Sequence, residues 1–146
     1  MKYNRYPKRD PIKNYFPLPN EIFCLGLCAG EISVYSYLLY REDRKTFQCW
    51  PSYKTIGSAL KMSKNTVKKY VEMLEEKSFV TTEHTQVFTK NDMKRNGNLR
   101  YTIRPIEEAV EHYHQLQFET IAREQAKADA KRRLEEFDRK HGRRAG

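Results

Sequence analysis

Nowhere does the chain hold the run of roughly 18 apolar residues that a membrane span requires. The basic N-terminus, MKYNRYPKRD, is followed by no apolar stretch of the kind a secretory signal needs. No membrane partner is expected, and a cytoplasmic location follows by default. Cysteine is scarce. Cys24, Cys28 and Cys49 are odd in number, so they do not close into a disulfide framework. Grouped with a histidine they match no dependable zinc-ligand spacing, and small thiols are ordinary core residues. No metal site is expected.

Catalytic signatures are missing as well. His84, His112, His114 and His141 are scattered, and His112 and His114 are two apart, a spacing that shares no helix face. There is no phosphate-cradling loop, no His-Glu-x-x-His and no serine-elbow pattern. Nor is there a clustered tyrosine and histidine set of the kind a DNA nickase would use. The plentiful tyrosines are better explained as core and core-edge residues. Catalysis needs a base, nucleophile or metal in a cleft, so neither an enzyme nor a cofactor is expected.

What is present is positive charge, unevenly placed. Of 146 residues 32% are charged, and the formal net charge is +9. All of that excess falls within residues 1–105, because residues 106–146 hold nine basic and nine acidic side chains. A basic excess on a folded module points to a polyanion partner. Apolar content of 38% suits one soluble domain with polar appendages.

Three segments follow: a flexible basic arm over 1–14, a folded domain over 15–105, and a charged helix over 106–146. The arm carries Lys2, Arg5, Lys8, Arg9 and Lys13, suited to phosphates if it touches DNA. An extended stretch, YFPLP, is kept out of helix by its prolines. Asn20 then caps a short turn that Gly26 helps to end. Helical spacing of Ile32, Tyr35, Leu38 and Leu39 predicts a helix over Gly30–Asp43. Phe47, Cys49 and Trp50 alternate as a short strand. Trp50, the single tryptophan, is expected to pack beneath the helices that follow.

Pro51 stops that strand and leaves Ser52 as the cap of a helix over Ser52–Lys61, with Ile56 and Leu60 inward and Gly57 at a helix crossing. Lys61-Met62 is the turn. Ser63 caps a second helix on which Val67, Val71 and Leu74 form one apolar stripe. Lys64, Asn65, Lys68 and Lys69 face away from it. Phe79–Val87 is β-rich, Phe88–Asn98 is a basic loop with Lys90, Lys94 and Arg95, and Leu99–Arg104 alternates as a second strand. After Pro105, residues 106–141 contain no glycine or proline and read as one long helix. Ile106, Val110, Tyr113 and Leu116 offer an apolar face for the domain or for a second copy. Ala126, Ala130, Leu134 and Phe137 fit either a weak coiled-coil seam or a solvated helix.

The order Ile-Gly-x-x-Leu-x-Met-Ser, then Thr-Val-x-x-x-Val-x-x-Leu-x-x-Lys-x-Phe-Val, resembles the winged helix-turn-helix of bacterial regulators, with the spacing of GntR-type and MarR-type modules. With FPLPNEIF and CWPSYKTIG it looks closer still to helix-turn-helix proteins of Gram-positive mobile elements, including N-terminal modules of plasmid replication initiators. The likeness covers about residues 15–105. Gly57 stands where alanine is usual, and Lys61 where glycine is frequent.

The resemblance implies a mainly α fold with a small β-hairpin wing, followed by the long C-terminal helix. It implies that Lys64, Asn65, Thr66, Lys68 and Lys69 meet the major groove, where asparagine suits adenine and lysine suits guanine. Ser52, Tyr53, Lys54 and Ser63 would meet phosphates, and Lys90, Lys94, Arg95 and Arg100 phosphates or the minor groove. The expected partner is double-stranded DNA, in transcription regulation or replication initiation. A homodimer through Val110, Tyr113 and Leu116 is a further expectation. The competing expectation is a module that binds proteins of a replication or transfer complex.

Overall fold

The structure, a computed structural model, describes residues 14–88, 90 and 93–142, without the side chains of Lys94 and Arg95. The cations expected on the N-terminal arm therefore lie outside the described residues. The fold is mainly α with a small winged sheet and a long C-terminal helix. It runs α1 (Ala29–Arg41), β1 (Gln48–Cys49), α2 (Tyr53–Leu60), α3 (Lys64–Glu76), β2 (Val80–Glu83), β3 (Gln86–Phe88), β4 (Lys94–Asn96), β5 (Arg100–Ile103) and α4 (Ile106–Lys140).

Helix starts follow local chemistry. The Ser52 hydroxyl accepts the Thr55 N–H at 3.0 Å, and the Ser63 hydroxyl accepts the Thr66 N–H at 3.2 Å. Each bond satisfies an amide that the first helical turn leaves unpaired. Asn20 does not act in this way. It lies inside a 3-10 turn, Asn20–Cys24, preceded by Pro19 and lacking a side-chain cap. Helix α1 starts where Glu31 reaches back to accept the Cys28 N–H at 3.1 Å. Between α2 and α3 the chain reverses through Lys61, whose φ of 60° and ψ of 45° place it in the left-handed region. A Cβ on Gly57 would lie 2.4 Å from the Met62 carbonyl oxygen, so only glycine fits this tight turn.

One core joins these elements. Val34, Tyr35 and Leu38 of α1, Ile56 of α2 and Val67, Val71 and Leu74 of α3 are buried together with Phe79, Val80, Tyr101 and Ile103. The rings of Tyr35 and Phe79 meet edge-on at 5.2 Å. Beside the core, Lys77 donates to the buried Glu31 carboxylate at 2.8 Å and so ties the end of α3 to the start of α1. Trp50 does not pack beneath the helices; it is 47% exposed, while Cys49 beside it is buried. Strand β1 ends at Cys49, so Trp50 lies beyond it, in the connector that leads to α2.

The wing has two tiers. Antiparallel strands β1, β5 and β2 form a sheet in that order, with Val80 opposite Ile103 and Cys49 opposite Tyr101. Beyond a break at His84-Thr85, β3 and β4 form a separate two-stranded ladder, with Val87 opposite Arg95. The single strand expected over Phe79–Val87 is therefore two, and the expected basic loop contains a third. The Gly97 N–H donates to the Thr85 carbonyl at 2.7 Å and bridges the break.

Helix α4 spans 35 residues, about 50 Å at 1.5 Å per residue. Ala109 is buried, and Ile106, Val110 and Tyr113 pack against the core. Val110 and Tyr113 are thus engaged within their own chain, whereas Leu116 is 42% exposed. The apolar face expected to serve a dimer is largely occupied in cis. No helix among the described residues is long and apolar enough to cross a membrane.

Candidate nucleic-acid interface

Helix α3 is held from one side. Val67, Val71 and Leu74 are buried, and Lys64, Asn65, Lys68 and Lys69 are exposed on the remaining surface. Charge is graded along that surface. Three lysines stand in the first two turns, while Glu72, Glu75 and Glu76 stand in the last two. No acidic residue occupies the first turn and no basic residue the last. A helix's own dipole favours the reverse arrangement, by about 0.3–1 kcal/mol for each charge at a terminus. The helix is therefore charged against its own stability, in a way that suits an external anion at its N-terminal end.

Other helix features converge there. Ser52, Tyr53, Lys54, Lys64, Asn98 and Tyr101 help line a cleft of about 310 Å³ between the start of α2, the start of α3 and the base of the wing. Lys54 and Lys64 also border a neighbouring depression that includes Lys61 and Ser63. The starts of two helices and at least three ammonium groups thus share one surface. Asn98 is a residue that sequence reasoning missed. Its side-chain amide donates to the Trp50 carbonyl at 3.1 Å and fixes the wing base to the connector before α2. The Asn-Gly-Asn sequence signalled a turn there, not this long-range bond.

The remaining expected contacts are distributed as follows. Ser52 and Ser63 use their hydroxyls as caps, and Thr66 shares its own hydroxyl with Ser63 at 2.8 Å. Tyr53 is half-buried, and burial, with Glu72 and Glu75 nearby, raises its hydroxyl above the ordinary value. Lys68 lies 4.0 Å from Glu72, with both side chains more than half exposed. Such a pair is weak enough for a phosphate to displace. The Lys69 ammonium sits 5.5 Å from the centre of the Tyr70 ring. In the wing, Lys90 is exposed, and Lys94 and Arg95 fall on β4 with side chains outside the described set. Arg100 is half-buried and ion-paired with Glu83 opposite it on β2. The structure thus gathers Ser52, Tyr53, Lys54 and Lys64 with the wing base, sets Ser63 on the neighbouring depression, and leaves Arg100 engaged elsewhere.

Glu75 holds the wing stem. Its carboxylate accepts the Thr82 N–H at 3.1 Å and the Thr82 hydroxyl at 2.8 Å, linking α3 to β2. Cys49 is buried, and desolvation pushes its thiol up to about 12. Among the described residues no three histidine, cysteine or acidic side chains gather as a metal group.

The family described as a helix-turn-helix domain matches residues 25–80. That match spans α1 to the first residue of β2, so the α2–turn–α3 unit is a helix-turn-helix by sequence as well as by geometry. No curated protein matches the chain. Among solved structures, a possible transcriptional regulator from Methanosarcina mazei is 19% identical, with a TM-score of 0.46, over 72% of this chain and 82% of its own. The MepR–DNA complex from S. aureus is 17% identical, with a TM-score of 0.40, over 80% of this chain and 86% of that one. A MarR family transcription regulator is 14% identical, with a TM-score of 0.41, over 84% and 79%.

Proposed function

We propose that this chain binds double-stranded DNA sequence-specifically and acts in transcription regulation. The reversed charge gradient of α3 carries this reading: lysines crowd the end whose dipole already favours anions, and that end meets the start of α2 and the wing base. Lys64, Asn65, Lys68 and Lys69 enter the major groove with the N-terminal half of α3, and the carboxylates of its later turns stay outside. Lys54 and the two capped helix starts meet the flanking phosphates. The wing lies along the neighbouring backbone through Lys90, Lys94 and Arg95. Replication initiation would use the same surface on a different kind of site.

Selection of bound duplexes from a random DNA pool tests this. An enriched motif supports specific reading, a palindrome indicates that two copies bind together, and tandem direct repeats indicate a replication-type array. Recovery of the pool unchanged would remove specificity from the account.

A second reading, docking onto a replication or transfer protein, is favoured by α4. Beyond its packed first turns it exposes Phe118, Ile121, Leu134 and Phe137. A gel shift at low salt separates the two readings, since the docking module alone would not retain mixed duplex DNA.

A further inference from the structure

The outer tier of the wing leaves its apolar side chains in the open. Val87, Phe88 and Met93 are 55%, 63% and 65% exposed. Val87 and Phe88 are neighbours on β3, and successive residues of a strand face opposite ways. Both faces of the β3–β4 ribbon are therefore open, and Gln86 is exposed as well. A two-stranded ribbon is marginal by itself in water, so this one depends on how its base is held. The Gly97 N–H donates to the Thr85 carbonyl, and the Thr85 hydroxyl donates to the Asn98 carbonyl. Gly97 and Asn98 also line the cleft that holds Lys54 and Lys64. The ribbon thus rises from the rim of the proposed DNA surface. Its charge fits the same partner. Register sets Val87 opposite Arg95 and Phe88 opposite Lys94, and neither strand contains an acidic residue. Between the strands the sequence adds Lys90 and one acidic residue, Asp92. Phe88 ends β3 and Met93 directly precedes β4, so both stand at the ribbon's outer end.

We propose that Phe88 and Met93 form an apolar wedge that enters the minor groove beside the major groove read by α3, and opens a base step there. This rests on the DNA-binding reading and adds to it a deformation of the duplex. Cations alone account for a wing that lies on the backbone. They do not account for a tip of phenylalanine and methionine, which gain nothing from phosphates. Proteins that kink a duplex push Phe, Leu, Ile, Met or Pro between bases from the minor groove. In the free protein the Phe88 ring is apolar surface left in water. Between two bases the same ring is buried against their π-faces. The cationic residues around the ribbon draw it to the phosphates that flank the groove. A wedge also makes binding sensitive to how easily the opened step deforms. Pyrimidine–purine steps such as TA are easily kinked. Phe88 thereby confers preference at a position where no hydrogen bond reads a base.

Ligation of a nicked circular plasmid in the presence of the full chain tests this without a known target site. A side chain wedged between bases unwinds the duplex, and the closed circles keep that change as a lower linking number after the protein is removed. The native chain at saturation is expected to shift the topoisomers toward negative supercoiling. Phe88→Ala, also at saturation, is expected to lose most of that shift while still retaining the plasmid in a gel. Phe88→Leu is expected to keep most of it, because leucine also wedges. Phe88 is exposed, so the far-UV circular dichroism of both variants should match that of the native chain. Retention of plasmid by the native chain without a shift would overturn the wedge and leave the DNA-binding reading standing. So would a shift that Phe88→Ala leaves intact. Failure to retain plasmid even at low salt would overturn both. Phe88-dependent capture by phosphatidylserine vesicles, with no plasmid shift, would assign the tip to a lipid surface and equally overturn the wedge.

Discussion

Lys61 and Gly57 bear the tightest local constraints in the helix-turn-helix. Lys61 is a non-glycine residue in the left-handed region, which costs an L-residue roughly 1–2 kcal/mol. Part of that is recovered because glycine loses more entropy on folding. Lys61→Gly is therefore expected to stabilise the chain by about 0.5–1 kcal/mol, read as a higher urea midpoint at unchanged slope. Gly57→Ala goes the other way. Its methyl would press on the Met62 carbonyl, a backbone atom that cannot swing aside, and a loss of about 2–3 kcal/mol is expected. Both residues stand out in the sequence as departures from the usual pattern, because turn chemistry is local. Other residues are not readable there. The Arg100–Glu83 pair depends on strand register across 17 positions, and the exposure of Trp50 depends on where the two-residue strand before it ends.

Glu31 adds a pH dependence at the same scale. Burial raises its carboxyl, but the Lys77 ammonium and the Cys28 N–H outweigh that, and the net value falls below the ordinary 4.5. Its contribution to stability is therefore full above the unfolded carboxylate value and is lost as pH falls through the lower folded one. Lys77→Met would leave the carboxylate buried without its partner, at a cost of about 3 kcal/mol. In that variant stability near neutral pH is expected to drop, and the acid limb of its pH profile to flatten. A profile parallel to that of the native chain would remove this pair as the cause.

At the scale of elements, the helices are more legible in the sequence than the wing. Caps, apolar stripes and the absence of glycine and proline locate α2, α3 and α4 to within a residue or two. The outer tier of the wing escapes because β4, Lys-Arg-Asn, carries no strand-like alternation and forms only by pairing with β3. The role of α4 is half legible. Its periodicity shows an apolar face, but only packing shows that Val110 and Tyr113 are used within the chain. A chain ending at 116 is therefore expected to keep its unfolding midpoint within a few degrees, whereas one ending at 105 loses core contacts and unfolds earlier. Light scattering on the same chains tests association: a dimer that dissociates on truncation at 116 places the contact on the distal helix, beyond the packed turns.

Across the whole molecule, electrostatics organise the account. The net +9 lies entirely within residues 1–105, and α4 is neutral in sum with the residues after it. DNA affinity is accordingly expected to fall steeply with salt, as bound cations are released from the phosphates. Residues 117–146 hold nine basic and six acidic side chains, so their removal takes away a net +3. The salt slope for one copy on one site should still change little, because the DNA-facing surface is built from residues that precede them. The charge distribution is legible in the amino-acid sequence alone, because it needs only a count along the chain. Folding adds the convergence: the charge meets two helix starts on one face.

The most direct measurement is duplex binding by the Lys68→Ala, Lys69→Ala double variant, followed by fluorescence anisotropy across a salt series. Lys68 and Lys69 are exposed, so the variant is expected to fold as the native chain does. The account predicts weaker binding to every duplex tested and a salt slope shallower by about one to two. Native affinity and an unchanged slope at both low and high salt would contradict it, and α3 would no longer stand as the helix that meets DNA.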